Sequence, residues 1–180
     1  YFQLYECIRG IKDACTVLNT PVTGGNASLY NESGGKPIYP TPTIGMIGAI
    51  KDYSKCITRS FKNAGELIYL LGETGEMLDG SEYLYVIHNQ IGKNCPEVNL
   101  EQEKLLINCL LELIDKELIS SASDISEGGL AAALVKSSFQ QVGAEIRNET
   151  GIEDVYFLFS ESPGRAIISF KKEHEKTVEH

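Results

Sequence analysis

The stretch ISSASDISEGGLAAALVKSSF, residues 119–139, passes from a strand-like run to a glycine loop and then to a helical run rich in alanine and leucine. We predict the end of a strand, a loop and a helix over 129–139. Asp124, Ser126 and Glu127 stand just before that helix, where unpaired N–H groups and the helix dipole favour anions. Because N-caps of this kind are common, the residues favour Asp124 or Ser126 as a helix cap, with Glu127 in the first turn, over a ligand site.

Helices and strands alternate on both sides of this stretch. We predict strands over 67–71, 143–148 and 164–170, and helices from about residue 81, over 99–118 and over 152–159. Ser81 and Asn99 are the predicted N-caps of the first two of these helices. The apolar face predicted for the 99–118 helix consists of Leu105, Leu106, Cys109, Leu110, Leu113 and Ile114. The alternation indicates an α/β or layered α+β fold.

The N-terminal part of the chain begins with a predicted helix over 1–19, which ends before a proline because the preceding residue avoids the α region. After it we predict a strand over 22–31 entered through a glycine turn, a hairpin or connector over 32–42, and a mostly buried strand over 43–50. The composition then becomes polar, so we place a domain boundary near Asp52.

The segment PVTGGNASLYNESGG, residues 21–35, combines paired glycines with asparagine and serine. Glycines let a ligand approach the backbone closely, and the polar side chains offer an amide and a hydroxyl group. This is the composition of a phosphate or metal-phosphate loop, and it is equally that of an ordinary tight turn. The residues alone favour the turn.

The segment FSESPGR, residues 159–165, carries two opposite charges. Glu161 and Arg165 are placed to grip a phosphate or to pair with each other, and the residues alone favour a solvated turn. No serine lies near a histidine in the sequence, and His88 has no acidic partner within sequence reach. We predict no catalytic residue in this chain.

The chain has 180 residues and a formal net charge of -9, with a pI near 4.9. That charge argues against a nucleic-acid partner, which needs clustered Lys and Arg. Any phosphorylated ligand must then be held locally, by backbone N–H groups and a metal ion. No apolar run approaches the roughly 20 residues that cross a bilayer, so we predict no membrane association. The five cysteines form no CxxC pair, which favours reduced thiols in a cytoplasmic protein over a zinc site or a disulfide framework.

Five segments share their order and spacing with one protein family. They are, in chain order, TPVTGGNASLYNESGGKPIYPTPTIGMIG, FKNAGELIYLLGET, LDGSEY, ASDISEGGLAAAL and LFSESPGRAIIS. Together they resemble the second half of small-type phosphoribosylformylglycinamidine synthase, the synthetase subunit of de novo purine biosynthesis. The wider superfamily includes aminoimidazole ribonucleotide synthetase and selenophosphate synthetase, and it shares the SEGGL type of signal but not the first segment.

The resemblance implies a parent chain built from a duplicated pair of modules, each with a sheet domain that packs into a barrel and a following α/β domain. Residues 1–52 match the C-terminal part of the synthetase N-type sheet domain. Residues 53–180 match most of the C-type α/β domain, truncated at its C-terminus. On this basis the chain is a piece of a longer protein.

The resemblance also implies an ATP-dependent carbon-nitrogen ligase. ATP phosphorylates the formamide oxygen of formylglycinamide ribonucleotide, and ammonia from glutamine then displaces phosphate to form the amidine. The implied partners are the N-terminal half of the same chain, a glutaminase subunit and a small bridging subunit. Because the family's catalytic histidine lies in that N-terminal half, this chain alone is expected to be inactive. The alternatives are a non-catalytic module that is structural or holds an auxiliary nucleotide, and a stand-alone member of the superfamily.

The site residues that the resemblance implies lie in the glycine-rich segment. Gly25 would contact ATP, Asn26 would bind Mg²⁺ through its amide oxygen, and Ser28 would contact the ribonucleotide substrate. An amide oxygen is a suitable hard donor for that ion. Alternation along the predicted strand places Asn26 and Ser28 on the same side.

Three positions depart from the family pattern. Gly24 stands where members carry serine before the Gly-Asn pair, and Ser123 stands where they carry histidine before the aspartate. Pro163 stands where the other half of the family has glutamine in a substrate-binding segment. We therefore expect no substrate contact from 160–165 and a mainly structural role for 124–129.

Overall fold

The computed structural model describes residues 1–26, 28, 32–39, 41–139 and 142–179. The chain divides into two compact units, unit 1 at Tyr1–Lys51 and unit 2 at Asp52–His180. The division lies where the composition of the sequence changes. The assignment of residues 1–52 and 53–180 to particular synthetase domains stays a prediction.

Unit 1 contains a long helix and a short hairpin. Helix α1, Phe2–Leu18, ends where Asn19 takes a left-handed conformation with a φ of 54°. Strands β1, Glu32–Ser33, and β2, Lys36–Pro37, pair antiparallel across Gly34–Gly35, whose positive φ angles suit a tight turn. The predicted N-terminal helix and the hairpin are confirmed.

The described residues of unit 1 show neither of the two strands predicted there. The described residues within 22–31 lie in no strand, and the rest of that segment falls outside the described residues. Residues 43–50 lie in no strand either, and Ile44 and Ile47 are exposed instead of buried. An apolar run becomes a strand only where a neighbour pairs its N–H and C=O groups. The described part of unit 1 supplies no such neighbour.

Unit 2 is organised around a three-stranded antiparallel sheet of order β3-β5-β4. Its strands are β3, Leu67–Leu71, β4, Ser121–Asp124, and β5, Ala166–Phe170. Ala166 pairs with both Leu71 and Asp124. The loops that follow β3 and β4 and the loop that precedes β5 therefore meet at the same end of the sheet.

Three strand predictions for unit 2 are confirmed and one is wrong. The strands over 67–71 and 164–170 and the strand end before the glycine loop are found. Residues 143–148 lie in no strand, and Arg147 forms an exposed ion pair with Glu145. A strand needs a paired neighbour, and none of the three strands of this sheet pairs with that segment.

The helices of unit 2 begin at side-chain caps in two cases. These helices are α2, Glu82–His88, α3, Leu100–Asp115, α4, Gly129–Ser137, α5, Asp154–Phe159, and α6, Glu175–Val178. The Ser81 Oγ atom accepts the N–H of Leu84, and the Asn99 Oδ1 atom accepts the N–H groups of Glu101 and Gln102. Each cap satisfies N–H groups that have no partner within the helix. Both predicted N-caps are confirmed.

Alternation along β5 divides the core of unit 2 between the two faces of the sheet. Ile167 packs on one face against α4 and α5, where Phe157 is buried. Ile168 and Phe170 pack on the other face with Leu113 of α3. Helices thus cover both faces, and the predicted α/β class is confirmed.

The apolar face predicted for α3 is wider than the one observed. Leu110, Leu113 and Ile114 pack against the sheet as predicted. Leu105 and Cys109 are exposed. These two residues are four positions apart and so share one side of the helix, which the sheet does not cover.

Candidate functional site

In unit 1 the structure brings two of the predicted ligand-binding side chains together. The Asn26 Nδ2 atom donates a hydrogen bond to Ser28 Oγ at 3.4 Å. Gly25 immediately precedes them, and all three residues are exposed. Among the described residues of unit 1, a Cβ atom added at Gly25 would meet nothing within 4 Å. These residues therefore leave open space beside this glycine.

The amide oxygen of Asn26 is a suitable ligand for a magnesium ion. The hydrogen bond to Ser28 uses the Asn26 amide nitrogen, so the Oδ1 atom keeps its lone pairs for a cation. Mg²⁺ is commonly held by one or two protein oxygens together with water and phosphate oxygens. Among the described residues, no group of three or more His, Cys, Asp or Glu side chains is placed to hold a metal. Asn26 can thus contribute one ligand but not a complete site.

In unit 2 the loops at the end of the sheet meet around one carboxylate. The Oε1 atom of Glu161 accepts the N–H of Glu82 at 2.7 Å and the N–H of Gly128 at 2.9 Å. Glu82 begins α2 and Gly128 immediately precedes α4, so one carboxylate oxygen serves the start of two helices. The structure thereby joins the 124–129 and 160–165 segments, which the sequence pattern left separate.

The helix cap predicted at Asp124 or Ser126 is wrong. The residue that precedes α4 is Gly128, with a φ of 83°, and it carries no side chain to cap the helix. Asp124 and Ser126 are exposed. Glu161 lies 33 residues beyond Gly128 and supplies the acceptor instead. Local spacing carries no signal for a contact of that range.

Asp124→Ala is therefore expected to change the free energy of unfolding by no more than about 0.5 kcal/mol, because its exposed side chain caps nothing. Urea denaturation of the wild type and the variant measures the difference. Glu127→Ala, which removes an equally exposed charge from the same loop, is the control. A loss of about 1–2 kcal/mol, the usual cost of a missing cap, would contradict the observed arrangement.

Arg165 is buried, which corrects the prediction of a solvated turn in this segment. The residue is only 3% exposed. Its Nε atom donates to the Ser162 carbonyl at 3.0 Å, Nη1 to Thr74 Oγ1 at 3.1 Å, and Nη2 to the Ser160 carbonyl at 2.5 Å. Burial lowers the pKa of the guanidinium below its ordinary value, and the nearby Glu161 carboxylate offsets this only in part. The loop is folded around this charge.

Unit 2 also has a pocket beside Glu66, a residue that the sequence analysis did not single out. The pocket has a volume of about 220 Å³. The Glu66 carboxylate accepts hydrogen bonds from Ser120, Asn63 and Ser169 at 2.6, 2.8 and 3.0 Å. Partial burial raises the pKa of Glu66, but these three hydrogen bonds outweigh it and hold the pKa below its ordinary value. The carboxylate thus joins the segment before β3 to β5 and to the residue just before β4, which is a structural role.

The cysteines and His88 form no further site among the described residues. The five cysteines are free thiols. The ring of His88, the last residue of α2, meets the ring of Tyr83 edge-on with centroids 5.4 Å apart. Across the described ranges, no helix combines the length and apolar character that a membrane span requires.

Comparison with known proteins relates the chain to a group of synthases. Residues 63–180 match the family described as AIR synthase related protein, C-terminal domain. The phosphoribosylformylglycinamidine synthase subunit PurL of Thermoanaerobacter pseudethanolicus is 48% identical over 179 residues, which are 99% of this chain and 24% of that protein. The corresponding subunit of Alkaliphilus metalliredigens is 42% identical over 180 residues, with the same coverage. The chain spans about a quarter of the length of these curated relatives.

Solved structures of a related protein share the fold. T. maritima PurL complexed with FGAR has a TM-score of 0.54 and 20% identity, over 70% of this chain and 23% of that one. T. maritima PurL complexed with AMPPCP has a TM-score of 0.50 and 19% identity, over 70% and 20% of the two chains. At such identity the likeness concerns the fold alone. Because the family match covers more than half of its residues, the chain belongs to the AIR synthase related protein family, through the C-terminal domain of that family.

Proposed function

We propose that this chain is the part of a phosphoribosylformylglycinamidine synthase that contributes ATP, Mg²⁺ and substrate contacts. The observation that carries the proposal is the 48% identity to the PurL subunit of T. pseudethanolicus over 99% of the chain. The reaction converts formylglycinamide ribonucleotide and ammonia from glutamine into formylglycinamidine ribonucleotide at the expense of ATP. The whole enzyme would be a carbon-nitrogen ligase with glutamine as the amido donor.

The chemistry needs an activated oxygen and a well-placed nucleophile. The γ-phosphoryl group of ATP is transferred to the formamide oxygen and ADP is released. Ammonia then attacks the activated carbon and loses protons, and the C–O bond breaks so that the oxygen leaves as inorganic phosphate. A bound Mg²⁺ ion supplies charge neutralisation at the phosphates. The part of this chain is to bind and orient: Gly25 leaves room for ATP beside the backbone, Asn26 offers its Oδ1 atom to the ion, and Ser28 orients the ribonucleotide. The approach of Asn26 to Ser28 at 3.4 Å supports a shared site.

Other parts of the enzyme would complete the reaction. From the family resemblance we infer that the N-terminal half of the full-length synthetase supplies the catalytic histidine and most metal-binding carboxylates. The relatives are about four times as long as this chain and so have room for that half. A glutaminase subunit would deliver ammonia, and a small bridging subunit would hold the complex together. We place the assembly in the cytoplasm, where free cysteines persist and where ATP and glutamine are available.

Asn26→Ala, made in the full-length synthetase that carries these residues, is expected to raise the ATP and Mg²⁺ concentrations needed for half-maximal rate. Loss of one neutral oxygen ligand costs about 1–3 kcal/mol of nucleotide affinity. That loss corresponds to about 5- to 150-fold in the required concentrations. Titration of ATP at fixed Mg²⁺, and of Mg²⁺ at fixed ATP, measures the effect with ammonia as the nitrogen donor.

The stability of the Asn26→Ala variant should change little, in contrast to its ATP and Mg²⁺ requirement. The melting temperature should change by no more than about 2 °C, because Asn26 is exposed and its hydrogen bond to Ser28 is long. Thr23→Ala, an exposed neighbour in the same loop, should leave both titrations unchanged. An unchanged ATP titration together with a large fall in melting temperature would show that Asn26 is only a turn residue.

A further inference from the structure

The carboxylate of Glu66 has one acceptor position that no described residue fills. An ionised carboxylate offers about four lone-pair positions, two on each oxygen. The Oε1 atom accepts from Asn63 Nδ2 at 2.8 Å and from Ser120 Oγ at 2.6 Å, whereas the Oε2 atom accepts only from Ser169 Oγ at 3.0 Å. The contacts that join the strands therefore leave one lone pair on Oε2.

The oxygen with this free lone pair is bonded to a residue that lines the pocket. Ser169 lines the pocket, whereas Ser120, a donor to the other oxygen, does not. The Ser169 Oγ atom also lies 2.8 Å from Ser121 Oγ. Because Ser169 gives its proton to Glu66, Ser121 is the donor in that second contact, and neither hydroxyl has another proton for Oε2.

The charge of the pocket favours a cation. Among the described residues that line it, Glu66 is the only charged one. Partial burial raises the pKa of Glu66, but its hydrogen bonds outweigh this effect, so the group is ionised at neutral pH. The charge of Lys171 also acts on Glu66. The Lys171 side chain is nevertheless exposed, and its Nζ atom lies 3.9 Å from the Glu173 carboxylate instead of lining the pocket.

The walls of the pocket suit a short hydrocarbon chain. Phe61, Ile68 and Val142 contribute apolar side chains, and an aromatic ring also attracts a nearby cation. The volume of about 220 Å³ is below the range of about 300–1,000 Å³ that is usual for larger ligands. Gly65 and Gly143, which also line the pocket, are exposed, so one side of it meets solvent. A primary ammonium group can therefore donate one N–H to the carboxylate and keep the others in water.

We propose that the pocket beside Glu66 binds a small primary alkylammonium ion. One N–H of the ion takes the free lone pair of Oε2, and its carbon chain lies against Phe61, Ile68 and Val142. An alcohol of the same length lacks the charge, and a carboxylate of that length is repelled by Glu66. The pocket belongs to unit 2, whereas the ligand contacts of the proposed function belong to unit 1, so the two proposals can fail separately.

The test is a titration of the 180-residue chain with butylammonium chloride at constant ionic strength. The backbone amide signals of Gly65 and Gly143 are followed by NMR, because both residues line the pocket. We expect saturable shifts of these signals with butylammonium and none with 1-butanol or sodium butyrate at the same concentrations. The two comparison probes separate recognition of the charge from simple burial of the carbon chain.

Three variants complete the test. Glu66→Gln keeps an acceptor oxygen and removes the charge, so it should bind butylammonium at least tenfold more weakly than the wild type. Gly143→Leu keeps Glu66 and adds a side chain where a Cβ atom would meet no atom of the described residues within 4 Å, so it should obstruct the pocket and abolish binding. Glu145→Gln is the matched control, because it removes an exposed charge that pairs with Arg147, and its affinity should equal that of the wild type.

The result is decisive even where one variant fails. If Glu66→Gln does not fold, Gly143→Leu and the comparison with 1-butanol decide. The proposal is overturned by the absence of saturable binding to the wild type, by equal binding of 1-butanol, or by undiminished affinity in a folded Glu66→Gln or Gly143→Leu variant.

Discussion

Arg165→Ala is expected to lower the free energy of unfolding of unit 2 by about 3–5 kcal/mol. The guanidinium is buried, and its three hydrogen bonds tie two carbonyls of its own loop to Thr74. Hydrogen bonds to a charged group contribute about 1.5–3 kcal/mol each and are not additive. Truncation also leaves the carbonyls of Ser160 and Ser162 without the donor that they have inside the protein.

Urea denaturation followed by circular dichroism measures this loss, with Arg147→Ala as the control. Arg147 forms an exposed ion pair with Glu145, and such pairs contribute about 0–1 kcal/mol. Arg165→Lys should fall between the wild type and Arg165→Ala, because one ammonium group cannot reproduce the planar fork of the guanidinium. A loss for Arg165→Ala no larger than that for Arg147→Ala would show that the buried charge does not hold the loop.

Gly129→Ala is expected to cost at least about 3 kcal/mol of stability, by a different mechanism. Gly129 has a φ of +64°, a conformation that costs other residues about 1–2 kcal/mol. The new Cβ atom would also lie within 2.9 Å of three backbone atoms, contributed by Leu158, Phe159 and Ser160. Backbone atoms cannot rotate away as a side chain does, so the end of α5 would have to shift.

Gly143→Ala is the matched control for this second variant. Gly143 has no positive φ, and a Cβ atom added there would meet no atom of the described residues within 4 Å. Its replacement should change stability by no more than about 1 kcal/mol, in the stabilising direction, because it restricts the unfolded chain. Equal urea midpoints for the two variants would contradict the close packing of Gly129 against the end of α5.

The features that the sequence predicted correctly are those whose cause is local. Ser81 and Asn99 cap their helices with N–H groups two or three residues away, and such spacing is visible in any sequence. Strand β3 is a short apolar run bounded by glycines, and its predicted limits match the observed ones. In each case the residues that determine the element lie within a few positions of it in the sequence.

The features that the sequence missed depend on distant partners. Gly128 receives its acceptor from Glu161, and no spacing rule connects residues so far apart. Residues 43–50 carry the composition of a buried strand, yet no neighbour in the described part of unit 1 pairs with them. The ligand roles of Gly25, Asn26 and Ser28 came from family resemblance and remain predictions. The structure adds the contact between the last two.

The position of β5 in the sheet has a consequence for how the protein is made. In the described part of unit 2, β3 and β4 each form their ladder with β5 and not with each other. A ribosome delivers β3 first and β4 next, and neither gains a ladder until residues 166–170 have left the exit tunnel. Pairings between such distant segments slow folding, and the apolar strand β3 is exposed to aggregation until its partner is made. Nascent chains that end before residue 166 therefore cannot form the three-stranded sheet of unit 2, and their β3 strand stays without its partner.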